Sequence, residues 1–92
     1  MKLPWTPEDY DGTLLADGLG EAFLGFTHVF GEEQPRAVYS VNRILNILTH
    51  RDGMTVDEAL EYYEFNIVGA VMGSNTPLYV EEFSKEEVKH NE

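Results

Sequence analysis

The chain has 92 residues, no cysteine and a formal charge of −11, with 42% apolar and 12% aromatic residues. That is one domain with material for a core, too apolar for a disordered chain and without a disulfide framework or thiolate zinc site. The charge argues against direct nucleic-acid binding, which needs a basic surface, and no run reaches the roughly 18 apolar residues of a membrane span.

The first ten residues, MKLPWTPEDY, contain no apolar stretch of the kind a secretory signal needs, so the expectation is a cytoplasmic protein. Residues 1–20 are rich in Pro, Asp and Gly and read as an irregular arm, with Trp5 available to pin it against the body. Residues 21–83 read as a single α+β domain and 84–92 as a charged tail, a frayed helical turn or disordered.

Within the domain, EAFLGFTHVF (21–30) is aromatic and β-branched, which predicts a strand. Simple alternation puts Leu24, Phe26, His28 and Phe30 on one face and Phe23, Thr27 and Val29 on the other. GEEQP supplies a turn and RAVYS a second strand, so the pair is expected to be an antiparallel hairpin. Ser40 is placed to cap a helix whose Val41, Ile44, Leu45 and Leu48 recur at i, i+3, i+4, i+7. Arg51 complements that helix's C-terminal dipole and Gly53 sits at the C-cap.

The next element carries the strongest local signal. TVDE (55–58) is a capping box, with Thr55 as the cap and Glu58 three positions on. Val56, Ala59, Leu60, Tyr63, Ile67, Ala70 and Val71 stay in one stripe at about 100° per residue, which predicts a helix to about Met72 closed by Gly73. LYVEEF (78–83) then predicts a last strand, on which Leu78 and Val80 oppose Tyr79 and Glu81. The expected architecture is therefore α+β: a small, mostly antiparallel sheet in the order β-β-α-α-β, covered on one face by a helical hairpin.

The segment DYDGTLL (9–15) resembles the nucleophile motif of haloacid-dehalogenase-like phosphatases, which would make Asp9 the nucleophile and Asp11 the acid/base. That motif needs a buried parallel strand before it, whereas LPWTPE carries two prolines. Asp9 and Asp11 read better as turn formers. His28, His50 and His90 lack metal-ligand spacing, Ser40, Ser74 and Ser84 occupy cap or turn contexts, and the glycines at 18–25 lack the Lys-Ser/Thr of a phosphate loop. No catalytic residue, metal site or cofactor is expected.

Two features point to contacts. Asp57, Glu61 and Glu64 share an exposed face of the second helix, a solvated acidic surface or, less economically, a divalent-cation site. Phe65, Val68 and Met72 lie 100° or more from the core stripe, so the second half of this helix is apolar nearly all round. Either the N-terminal arm covers them or they form a partner surface, and a two-fold homodimer through this patch is the expectation. From Asp52 to Ser84 there are seven acids and no Lys or Arg, a field that keeps the protein soluble or imitates nucleic acid towards a basic site.

Residues 51–80, RDGMTVDEALEYYEFNIVGAVMGSNTPLYV, resemble a family of small uncharacterised proteins found mainly in phages and prophages. The matching positions are Asp52, Gly53 and Met54, then Glu58, Ala59 and Glu61, then Phe65, Asn66, Gly69 and Ala70, and finally Gly73, Thr76 and Pro77. Ser74 departs from the pattern, where many members carry Glu. The resemblance implies a phage origin and a host-cytoplasmic site of action, and no activity. The resulting expectation is a small acidic accessory protein that binds a host or phage macromolecule, a host-defence inhibitor in its sharpest form. The rivals are an enzyme built on the DYDGT segment and a self-assembling structural module.

Overall fold

The computed structural model describes residues 13, 15–70 and 75–88. The fold is α+β, in the order β-β-α-α-β: β1 (Phe23–Thr27), β2 (Arg36–Ser40), α1 (Val41–Asn46), α2 (Val56–Tyr62) and β3 (Leu78–Val80), with a single 3-10 turn (Gly20–Ala22) leading into β1. Among the described residues the strands form one sheet in the order β1-β2-β3. β1 and β2 pair antiparallel as expected, and β2 and β3 pair parallel, so the sheet is mixed. Alternation identified β3 as a strand but carries no information on its direction. Two contacts fix it: Tyr79 joins Tyr39 across the ladder, and the residue two places after β3, Glu82, is held at the start of α1.

The sheet buries one face through a row of rings. Phe26, Phe23, Tyr39 and Tyr79 succeed one another at centroid distances of 5.1, 5.6 and 6.1 Å, and Tyr63 continues the row from the helical layer at 6.0 Å from Tyr79. Three of these four pairs are edge-to-face and Tyr39–Tyr79 is tilted at 31°; aromatic pairs contribute about 0.5–1.5 kcal/mol each beyond the area they bury. The buried Tyr39 also accepts a hydrogen bond from the Ala16 N–H at 2.8 Å, which ties the segment before β1 to the central strand. Leu19 is buried in the same core.

Phe23 and Phe26 share the core face although three residues apart, which simple alternation forbids. The register slips between Phe23 and Gly25: Phe23 faces Tyr39 and Gly25 faces Val38, so Leu24 is an extra residue. Such a bulge shifts the phase by one. The expected row of Leu24, Phe26 and Phe30 is therefore replaced by Phe23 and Phe26, leaving Leu24 exposed, and Phe30 is fully exposed in the turn because β1 ends at Thr27.

Both helices begin as the sequence dictates and end differently. The Ser40 hydroxyl accepts the Arg43 N–H at 3.2 Å, and Val41, Ile44, Ile47 and Leu48 are buried. The helix then widens into a π-turn over Ile47–Arg51, closed by Asp52 N–H to Ile47 O at 3.3 Å. Gly53, at φ 72°, adopts the left-handed conformation that a side chain resists, and lets the Met54 N–H reach back to Leu48 O at 3.0 Å. α2 opens on the full capping box and passes into a second π-turn over Tyr63–Val68, closed by Gly69 N–H to Glu64 O at 3.0 Å. At Gly69 a Cβ would lie 2.9 Å from Phe65 O, so the close of this wide turn requires glycine. The helix thus ends at Val68, short of the expected limit; Met72 and Gly73 lie outside the described residues.

The π-turn explains how the buried stripe of α2 continues to Ile67. In an α-helix each i+4 step overshoots by about 40°, so a line of such steps drifts off a flat core. A wider turn advances each residue by less and brings the line back. Ile67 thereby stays on the core in line with Ala59 and Tyr63; Val56 and Leu60, expected in the stripe, lie before the π-turn on the flank of that line and are 66% and 41% exposed.

One clasp joins the end of β3 to the start of α1. The Glu82 N–H donates to Asn42 Oδ1 at 2.8 Å and Asn42 Nδ2 donates to Glu82 O at 3.3 Å. The buried Ser40 hydroxyl donates to Glu82 Oε1, and Arg43 Nε lies 3.4 Å from the same carboxylate. The first turn of α1, where N–H groups lack helical partners and the dipole favours an anion, is where such a carboxylate is stabilised.

Candidate interaction surface

The serines, His50 and His90, and the two aspartates of the DYDGT segment are either committed to structure or outside the described residues. Asp9, Asp11, His90 and Ser74 fall in the latter group. Ser40 is used in the cap and the clasp. The Ser84 hydroxyl accepts from the Glu87 N–H at 3.3 Å and the Glu87 carboxylate accepts from the Ser84 N–H at 2.8 Å, a small capping box that starts a turn in the tail. The Ser84 backbone N–H, and after it the Ser84 hydroxyl, hold the Glu87 carboxyl below the usual carboxylate range. His50 Nδ1 lies 3.0 Å from Asn46 O and 3.1 Å from Thr49 Oγ1, within its own helix end. Among the described residues no group of three or more His, Asp or Glu is placed to hold a metal ion, and no helix is long and apolar enough to cross a membrane.

A cleft of about 240 Å³ lies between the start of the domain and the two π-turns, with Leu19, Leu48 and Ile67 forming its apolar side. Its polar edge is already satisfied. Arg51 donates to both oxygens of Asp52 at 2.8 and 3.0 Å and to Gly18 O at 2.6 Å. That fork holds the Asp52 carboxyl below its ordinary range and raises Arg51 above its own.

The outer side of α2 is different. With Ala59, Tyr63 and Ile67 turned to the core, it exposes Phe65 (72%) and Val68 (45%), two of the three residues expected there. Met72, the third, lies outside the described residues. Asp57, Glu61 and Glu64 are all exposed on the same helix, as expected of a solvated acidic face. Their spacing places Asp57 beside Glu61 and Glu61 beside Glu64 on successive turns.

Between the capped N-terminus of α2 and the π-turn runs an open groove of about 530 Å³, lined by Met54, Glu58, Glu61, Tyr62, Phe65 and Asn66. Sequence reasoning did not assign Met54, Tyr62 or Asn66 to a surface, and it placed Val56 and Leu60 in the core. No local signal separates them: Val56 and Leu60 are each followed directly by an acid, Asp57 and Glu61, but so is the core-facing Tyr63, by Glu64. Chemically the groove offers aromatic and thioether surface beside carboxylates, an arrangement suited to recognition and lacking a nucleophile–base pair.

Comparison of the chain with known protein families, with curated proteins and with solved structures gives no match.

Proposed function

We propose that this protein acts by binding another protein, as a small acidic accessory factor without catalytic activity of its own, and that the outer side of α2 makes the contact. The observation that carries this reading is Phe65: a large aromatic ring, 72% exposed, on the wall of a groove and unsupported by any need of the core. Exposed aromatics at the centre of an apolar patch are the residues that dominate binding energies when buried by a partner. The motif pattern of residues 51–80 supports a phage-type protein working in the host cytoplasm, with host machinery, including a defence factor, as its target. A two-fold homodimer through Phe65, Val68 and Met72 is the second reading of the same face, favoured by the exposure of Phe65 and Val68.

The test is affinity capture from cell lysate with the wild type and with Phe65→Ser. A captured species that disappears with the variant, while its melting temperature is retained, supports the reading. Capture that is indifferent to Phe65 removes the α2 face from consideration.

A further inference from the structure

We infer that the α2 groove receives a cationic amphipathic helix from a partner protein, an inference that rests on the outer side of α2 being the contact surface. The shape of the groove selects the kind of segment. Its lining comes in steps of one turn, Glu58 to Tyr62, Tyr62 to Asn66 and Glu61 to Phe65, so it follows the axis of α2. From Met54 to Asn66 it runs roughly 18 Å, the length of about 12 helical residues. An added strand would need an open ladder of backbone groups, and α2 spends its own backbone internally. A helix docks by side chains alone, which is what Met54, Tyr62 and Phe65 offer.

Charge selects the chemistry of the occupant. Glu58 and Glu61 edge the groove, Asp57 and Glu64 stand on the adjoining turns, and residues 56–68 contain these four acids with no Lys or Arg. At physiological salt the screening length is about 8 Å, so acids one turn apart on α2 act together on whatever enters. A second copy of the chain would bring the same carboxylates against this face. A nucleic acid or an anionic lipid surface would bring phosphates. A helix flanked by Lys and Arg neutralises the edges while its apolar stripe covers Phe65 and Tyr62, and its alkyl stems can lie along those rings with the cationic heads at Glu61.

The experiment uses the full chain and a fluorescein-labelled peptide of about 14 residues, built of Leu and Lys with Leu at helical i, i+3, i+4, i+7 positions. A scrambled peptide of the same composition carries the same charge without the stripe. Anisotropy at about 0.15 M salt is expected to show the amphipathic peptide bound at least about tenfold more tightly than the scramble. Phe65→Ser is expected to abolish that difference. Glu61→Lys weakens the amphipathic peptide, whereas the same charge change at Glu33, in the turn between β1 and β2, leaves it bound.

Equal affinity for the two peptides, or equal effects of Glu61→Lys and Glu33→Lys, would reduce the interaction to net charge and overturn the proposal. Light scattering that gives twice the monomer mass, lost with Phe65→Ser, would assign the groove to a second copy. The single tryptophan, Trp5, reports the remaining occupant: an emission shift on Phe65→Ser without peptide would assign the groove to residues 1–12. If the peptides are not discriminated while lysate capture still depends on Phe65, the contact surface stands and the cationic partner falls. If neither depends on Phe65, both fall.

Discussion

Replacing Thr55 with Ala tests the best-defined local structure in the chain. The Thr55 hydroxyl accepts the Glu58 N–H at 3.2 Å, and the Glu58 carboxylate accepts the Thr55 N–H at 2.9 Å. Thr55→Ala deletes the first bond and leaves the Glu58 N–H in an exposed turn where water can reach it, so the loss is that of a cap and not of a buried polar group. Such caps are worth about 1 kcal/mol, which in a domain of this size lowers the melting temperature by about 4–8 °C. The reciprocal geometry gives a sharper expectation. Glu58→Ala also breaks the box, and once one bond is gone the other side chain is less well held, so the double variant should cost less than the sum of the singles. Thermal melts of the four proteins followed by circular dichroism measure this cycle. An unchanged melting temperature for Thr55→Ala would show that α2 does not start at this cap, and strict additivity in the cycle would show that its two bonds do not support each other.

Two further outcomes are expected. Gly53→Ala should destabilise by about 1 kcal/mol, because φ is 72° there and the surrounding space is open, so strain is the whole cost; Gly53→Asn should cost less, and equal melts for the two would refute the strain argument. Burial, followed by nearby acids for Tyr63 and by other tyrosines for Tyr79, raises both phenols above their ordinary range. The unfolded chain therefore releases those protons first, and the stability they contribute is complete below pH about 10 and declines as pH rises towards the folded values. Denaturant melts across this range should show the decline, and Tyr63→Phe with Tyr79→Phe should flatten it.

The legible parts of this fold were those fixed by neighbours in sequence. Both caps follow from side chains that bond three residues away, the hairpin from a short turn, and the helix end from the left-handed backbone of Gly53. The errors arose where geometry departs from a fixed period. The bulge at Leu24 moved Phe23 into the core and Leu24 out of it, β1 ended at Thr27 and left Phe30 in the turn, and the π-turn from Tyr63 closed the helix at Val68. Neither period, 2 for a strand or 3.6 for a helix, contains such an event. Of the interaction surface, Phe65, Val68 and the acids were readable as departures from the core stripe. The groove itself was not, since Met54 joins Glu58, Tyr62 and Phe65 only once the inter-helix turn is built.

The Glu82 clasp has a kinetic meaning. β1 and β2 meet through a short turn, but Asn42 and Glu82 are 40 residues apart and Ser40 and Glu82 are 42 apart. Closing a loop of that length is repaid only after both helices have compacted the intervening chain. β3, three residues long, is therefore expected to dock last during folding and to detach first in native-state fluctuations. Hydrogen exchange at Leu78–Val80 should report a partial opening, while that at Tyr39 waits for global unfolding. Each opening bares the inner edge of β2, a row of backbone donors and acceptors beside Tyr39 that another strand could capture. Asn42, Ser40 and Arg43 thus act as a latch on the time the molecule spends with that edge uncovered.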